Sequence, residues 1–163
     1  MEIERKWLID AFPTEFELIE EAEMEQGYIS VKPVVRIRKR AGKKGTDYIL
    51  CIKGKGTLVR EEIETPISQE VYEKLKAFIG VPLVRKTFKV YRLPTGHALE
   101  CSIVDDGEET SFMYAEVEFA SVEEANAFVP PACLGAEKTE DHSFSMSDYW
   151  RAKAERYQKE NQE

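Results

Sequence analysis

Apolar and polar residues alternate with period two along most of the chain. The alternation runs through 2–9 (EIERKWLI), 28–40 (YISVKPVVRIRKR), 48–54, 58–67, 83–93, 98–106 and 112–120. Each segment predicts a half-buried strand. Pro33 limits regular pairing at its edge, because proline has no N–H to donate. AGKKGTD (41–47), Gly54 and Gly56, PTGH (94–97) and Gly107 supply turns. The period changes to a helical one in three places. Ser68 caps a helix carrying Val71, Leu75, Phe78 and Ile79, which Gly80 and Pro82 end. Ser121 and Glu124 form a capping box for a second helix that ends at Pro130 and Pro131. An amphipathic helix over about 147–158 carries Trp150, Ala154 and Tyr157 on one side. Residues 135–141 offer a last short strand. The pattern predicts an α+β fold: an eight-stranded antiparallel β-barrel with helices packed outside, closed so that no strand edge is left bare. No repeat or linker interrupts it, so residues 1–163 read as one domain.

Composition narrows the function. The 163 residues are 42% hydrophobic and 33% charged, with a net charge of −8. Such a balance argues against a nucleic-acid partner, whose phosphates need a broad basic surface. Three cysteines, Cys51, Cys101 and Cys133, with no CxxC, argue against a disulfide framework or a zinc site. No run approaches the ~18 apolar residues of a membrane span, and the N-terminus reads as a charged strand rather than a signal peptide. The expected setting is the cytoplasm.

The position of the charges is more informative than their sum. Glu2-x-Glu4-x-Lys6, Arg36-x-Arg38-x-Arg40, Lys53, Arg60-x-Glu62-x-Glu64, Lys86, Glu100 and Glu116-x-Glu118 all fall in predicted strands. Residues i and i+2 share a face, roughly 6.6 Å apart. Taken singly, each set is explained by a sheet whose polar face meets water. Taken together they are not: glutamate is depleted in strands, and both signs occur in quantity. In a closed barrel they would line the lumen, where charges need partners. Clustered carboxylates are hard ligands for Mg²⁺ or Mn²⁺, and arginine and lysine bind phosphate. A metal–polyphosphate complex requires both.

In this order the motifs resemble the CYTH domain, or triphosphate tunnel metalloenzyme, superfamily, and within it the bacterial inorganic triphosphatases most. The matching residues are the ExExK of Glu2, Glu4 and Lys6, the RxR of Arg36 and Arg38, Lys53, the RxExE of Arg60, Glu62 and Glu64, the QGYIS segment at 26–30, and AEVEF with Glu116 and Glu118. The resemblance implies a tunnel that binds triphosphate compounds and needs divalent metal. Two positions depart from the pattern. Lys86-Thr87-Phe88 stands where KxR is usual, and Glu100-Cys101-Ser102 where ExD is usual. A cation and an anion are missing together, as though a paired contact were lost. Arg85 and Lys89 offer replacement charges, but a one-residue offset points to the other face.

The expected activity is metal-dependent hydrolysis of the terminal phosphate of inorganic tripolyphosphate. Arg36, Arg38, Lys53, Arg60 and Lys86 would hold the anion. Glu2, Glu4 and Glu118 would hold one metal with Glu116 beside them, and Glu62 and Glu64 a second metal or the arginines. Lys6 would bind phosphate or help activate water, and Tyr28 is either a packing aromatic or Lys6's partner. His97 is expected to be exposed in its turn, His142 to be structural, Trp7 and Trp150 to pack, and the acidic run 15–25 to be a solvated face. The alternatives are an organic triphosphate substrate (a nucleotide or thiamine triphosphate), an adenylyl cyclase, or a polyphosphate- or nucleotide-binding protein without turnover. A homodimer stays open.

Overall fold

The computed structural model describes residues 1–162. In chain order these form β1 (Glu2–Leu8), β2 (Glu17–Val31), β3 (Val34–Gly42), β4 (Gly45–Lys53), β5 (Val59–Arg60), β6 (Glu62–Pro66), α1 (Gln69–Ile79), β7 (Val84–Arg92), β8 (Ala98–Val104), β9 (Phe112–Glu118), α2 (Val122–Ala127) and α3 (Met146–Glu160). The strands make one antiparallel sheet in the order β5-β1-β9-β8-β7-β2-β3-β4-β6. Its two ends are neighbours in the chain. Only Glu61 separates β5, which pairs with β1, from β6, which pairs with β4. The sheet therefore curls into a nearly closed barrel. The predicted strand 58–67 is one stave interrupted at Glu61, and counted so, the barrel has the expected eight staves.

Three boundaries differ from the sequence pattern. The acidic run is a solvated face as expected, with Glu17, Glu20, Glu21 and Glu23 exposed, but residues 17–31 also form the longest strand, which the pattern does not predict. Their glutamates are ordered by basic residues beside them: Glu17 meets Arg92 at 3.5 Å, Glu21 meets Lys89 at 3.6 Å, and Glu25 meets Lys76 of α1 at 2.9 Å. Cross-strand pairing of opposite charges offsets the poor strand propensity of glutamate. The predicted strand 28–40 is two strands that turn at Lys32 and Pro33. Residues 135–141 contribute only an isolated bridge, Trp7 to Glu137.

The helices sit outside, as the pattern implied. Ser68 caps α1 by accepting from the Val71 N–H, and Gly80 ends it in the left-handed region at φ 65. The buried face of α1 is Tyr72, Leu75 and Ile79, packed on Ile37 and Leu83; Val71 and Phe78 are exposed, so the predicted face was rotated. Gly27 lies beneath this helix, and a Cβ there would come within 2.2 Å of Leu83 Cδ2. Ser121 accepts from the Glu124 N–H, and the Glu124 carboxylate accepts from the Ala120 N–H. His97 is not exposed as expected. Its ring stands edge-on to Phe119 and Phe128, and Nε2 is 2.8 Å from Glu124. Trp7 belongs to the largest core cluster, with Ala115, Val117, Phe119 and Phe128. Among the described residues no helix is long and apolar enough to cross a membrane.

Candidate active site

Because directly opposed residues of an antiparallel pair share a face, the register decides what lines the barrel. Glu2 opposes Arg60, Glu4 opposes Glu118, and Lys6 opposes Glu116, which opposes Glu100 in turn. On the other side Tyr28 opposes Arg36, Gln26 opposes Arg38, and Met24 lies between Arg40 and Lys86. Lys53 opposes Glu62. These rungs enclose a cavity of about 340 Å³. Every candidate named from the sequence lines it: Glu2, Glu4, Lys6, Tyr28, Arg36, Arg38, Lys53, Arg60, Glu62, Glu64, Lys86, Glu116 and Glu118. Arg40, Glu100 and Tyr114 line it too, as do Ser145, Met146 and Ser147 at the start of α3. Arg40 and Glu100 belonged to the alternating pattern and were readable there. Tyr114 and the α3 residues carried no such signal. His142 is exposed and lies apart from the cavity.

Charge is divided unevenly around the lumen. Among the described residues, one ion pair joins two lining residues, Lys53 to Glu2 at 3.2 Å. Arg36, Arg38, Lys86 and Lys6 have no carboxylate partner. Arg36 and Lys86 are nonetheless buried, and the Arg36 Nε has no hydrogen-bond partner at all. Gln26, fully buried, aims Arg38: its Oε1 accepts from Nε at 3.1 Å and from an Nη at 2.9 Å, while its amide donates to the Tyr28 hydroxyl. Tyr28 itself is buried and tilts against Trp150 at 5.6 Å. It is thus both a packing aromatic and a lining residue. Lys86 contacts the Tyr114 hydroxyl. Burial, then Arg38, with smaller contributions from Arg36 and Lys53, push the Lys86 ammonium well below its ordinary range, against the pull of Glu116.

The acids crowd together on the opposite side. The ligand atoms of Glu2, Glu62 and Glu118 lie within 4.8 Å of one another, and so do those of Cys51, Glu62 and Glu64. Burial and a bond to Glu62 push Glu2 up to about 7, although Lys53 opposes this. Burial, then the charge of Glu116 and a bond to it, push Glu4 up to about 10. Glu116 stays low despite its burial, because Glu4 bonds to it and Lys86, Lys53 and Lys6 surround it. Carboxylates that crowd and repel one another, from buried Glu2 to exposed Glu118, are the donor set a hard divalent cation relieves.

The two departures from the family pattern are direct neighbours. Phe88 opposes Ser102, and Ser102 opposes Tyr114. The loss is thus a matched one across a single rung, which remains neutral. Neither offered replacement reaches the lumen. Lys89 pairs with Glu21 and lies over Phe12, and Arg85 is exposed opposite Glu25.

A charged tunnel through an antiparallel barrel defines the class of protein, and the comparisons with known proteins give the family. No protein-family model matches the chain. An inorganic triphosphatase of Nitrosomonas europaea is 36% identical over 143 residues, which cover 88% of this chain and 92% of that protein. A crystal structure of an inorganic triphosphatase superposes with a TM-score of 0.62 at 31% identity, covering 91% of this chain and 93% of the other. The PH1819 protein of Pyrococcus horikoshii gives a TM-score of 0.58 at 22% identity over 77% of this chain and 81% of that one, a likeness of fold alone. The chain belongs to the inorganic triphosphatase family of the CYTH, or triphosphate tunnel metalloenzyme, superfamily.

Proposed function

We propose that this protein hydrolyses the terminal phosphate of inorganic tripolyphosphate inside the barrel, with Mg²⁺ or Mn²⁺ as cofactor. The observation that carries this is the set of cations without carboxylate partners, buried Arg36 and Lys86 and partly buried Arg38, facing a crowd of mutually repelling acids. Burying an unpaired charge costs several kcal/mol. A lumen built this way is complementary to a strongly anionic ligand accompanied by a cation. A relative matched over 88% of this chain and 92% of its own length is an inorganic triphosphatase.

In this reading Arg36, Arg38, Lys53, Arg60 and Lys86 hold the phosphate oxygens and offset the charge that develops on them. Lys6, which has no carboxylate partner, contacts phosphate or the attacking water. Glu2, Glu62 and Glu118 would hold one metal with Glu4 and Glu116 beside them, and Glu64 would hold a second ion or orient the arginines. The oxygen-only donor set of Glu2, Glu62 and Glu118 fits a hard cation. When bound, such an ion supplies Lewis acidity and charge neutralisation. Gln26 keeps the Arg38 fork aimed inward. Three free cysteines agree with a cytoplasmic setting.

The test is phosphate release from tripolyphosphate, ATP and thiamine triphosphate, each with Mg²⁺, Mn²⁺ or EDTA. Metal-dependent release fastest from tripolyphosphate is expected. No metal-dependent release from any of the three would overturn the enzyme reading. Preference for an organic triphosphate would overturn the substrate.

A further inference from the structure

We infer that Arg40 is a further anion-binding residue of the tunnel and that Phe88 is the residue that positions it. The inference rests on the tripolyphosphate reading for its ligand, and on geometry for the rest. Arg40 shares the inner face with Met24 and Lys86 and lines the cavity. Its guanidinium carbon lies 4.9 Å from the centroid of the Phe88 ring. That ring is buried in a small apolar cluster with Ala22, Met24 and Val90. Phe88 therefore cannot itself stack on a ligand, because its free face is already covered by Arg40. A guanidinium lying over a ring is held by its face and keeps its N–H edge for oxygen acceptors.

The rest of the surroundings leave that edge free to bind an anion. One Nη meets Glu20, a half-exposed residue outside the cavity lining, in a pair of the solvent-exposed kind that contributes little and exchanges readily. Asp47 stands directly opposite Arg40 on β4 but, among the described residues, makes no ion pair with it, and across the Phe88 rung stands Ser102 rather than a carboxylate. Lys89 and Arg85, on the opposite face of β7 from Phe88 and Lys86, are turned away. The cation absent at position 88 is thus replaced from the neighbouring arginine run. Phe88 is not a gap in the site but the seat for that replacement.

The experiment measures kcat and KM for tripolyphosphate with Mg²⁺. It also measures the Kd of tripolyphosphate in EDTA by calorimetry, with thermal midpoints as a folding control. Arg40→Gln is expected to raise KM and Kd about 10-fold, the loss of one charge-assisted contact, with kcat within about twofold. Phe88→Leu is expected to raise them about 3-fold, the size of a partly exposed cation–π contact. It should add nothing in the Arg40→Gln background, and Phe88→Tyr, which keeps the ring, should behave as wild type. Phe88→Arg should restore affinity to Arg40→Gln. Unchanged KM and Kd in Arg40→Gln would overturn the assignment of Arg40. An equal cost of Phe88→Leu in both backgrounds would overturn the positioning role. Turnover in the wild type with an inert Arg40→Gln defeats this inference alone; a Kd that responds to Arg40→Gln in a protein without turnover defeats the hydrolase reading alone.

Discussion

Arg5 and Arg36 are both strand arginines of one barrel, pointing to opposite sides of its wall. Arg5 points outward. Its Nε and one Nη donate to the two carboxylate oxygens of Glu137 at 2.9 and 2.7 Å, and its other Nη donates to the carbonyls of Ala125 and Phe128. Arg36 points inward, is more deeply buried, and has an Nε with no partner. The acids repeat the contrast. Glu137 is held below its ordinary range by Arg5, whereas Glu2, Glu4 and Glu100 in the lumen are pushed above theirs by burial. The outer face satisfies its charges within the protein and fastens the fold. The inner face leaves them unsatisfied, a cost tolerated where a ligand completes the set.

The largest expected effect breaks the lumen while sparing the wall. Glu4→Gln removes a carboxylate from the acidic crowd without changing its volume. Metal-dependent turnover should fall by about 100-fold or more, the loss expected when a metal-site group is removed. The thermal midpoint in EDTA should hold or rise, because one repelling buried acid is gone. Turnover within twofold of wild type would remove Glu4 from the metal site. A large drop in the midpoint would make it a structural residue instead.

The next prediction compares the two arginines directly. Arg5→Met leaves Glu137 and two carbonyls without their donors, which should cost about 2–3 kcal/mol in urea unfolding. Arg36→Met removes an unpaired buried cation and fills its space with an apolar chain, so stability should hold or rise by about 1 kcal/mol. Affinity for tripolyphosphate should respond the other way round, weakening sharply in Arg36→Met and little in Arg5→Met. Equal destabilisation by both changes would mean that the lumen, too, is held together by its own charges.

That inner and outer faces divide this way was legible in the sequence, because strand geometry is strict. Period-two alternation puts Glu2, Glu4 and Lys6 on one side and Ile3, Arg5 and Trp7 on the other whatever the partner strand. The helix caps were equally local, and Ser68, Gly80 and Ser121 act where the pattern places them. What escaped depends on other parts of the chain. The strand over residues 17–25 escaped because their glutamates are poor strand formers alone, and the arginine and lysines that order them lie fifty or more positions away. That Phe88 faces Ser102, and that Arg40 covers Phe88, follows from register across four strands, which no local pattern contains. Tyr114 is by sequence one more aromatic in an alternating strand, and only its contact with Lys86 sets it apart.

The smallest expected effect tests whether the contrast extends to titration, using metal-free protein in EDTA. Asp105 is an acid of the outer kind. Its carboxylate is fully buried and accepts from the Arg85 N–H at 2.9 Å, the Tyr149 hydroxyl at 2.8 Å and the Lys153 ammonium at 3.0 Å, which pins α3 to the barrel. Burial works to raise its pKa, but these three donors outweigh it and hold the carboxyl below the usual range. The stability it contributes is present above its unfolded pKa and lost as pH falls through the folded one. Glu100 is an acid of the inner kind. Burial, Glu116 and Glu118 push it up to about 7, against Arg38 and Arg40. Between its ordinary 4.5 and about 7 the folded state holds the proton more tightly than the unfolded chain, so stability falls as pH rises through that window. Unfolding free energy should therefore decline on both sides, and each side should answer to its own substitution. Asp105→Asn should flatten the acid limb and leave the neutral one. Glu100→Gln should raise stability at pH 7 relative to pH 4.5 and leave the acid limb. If Glu100→Gln steepened the decline toward pH 7, the lumen acids would be ionised and internally paired, and the division between the two faces would not hold for them.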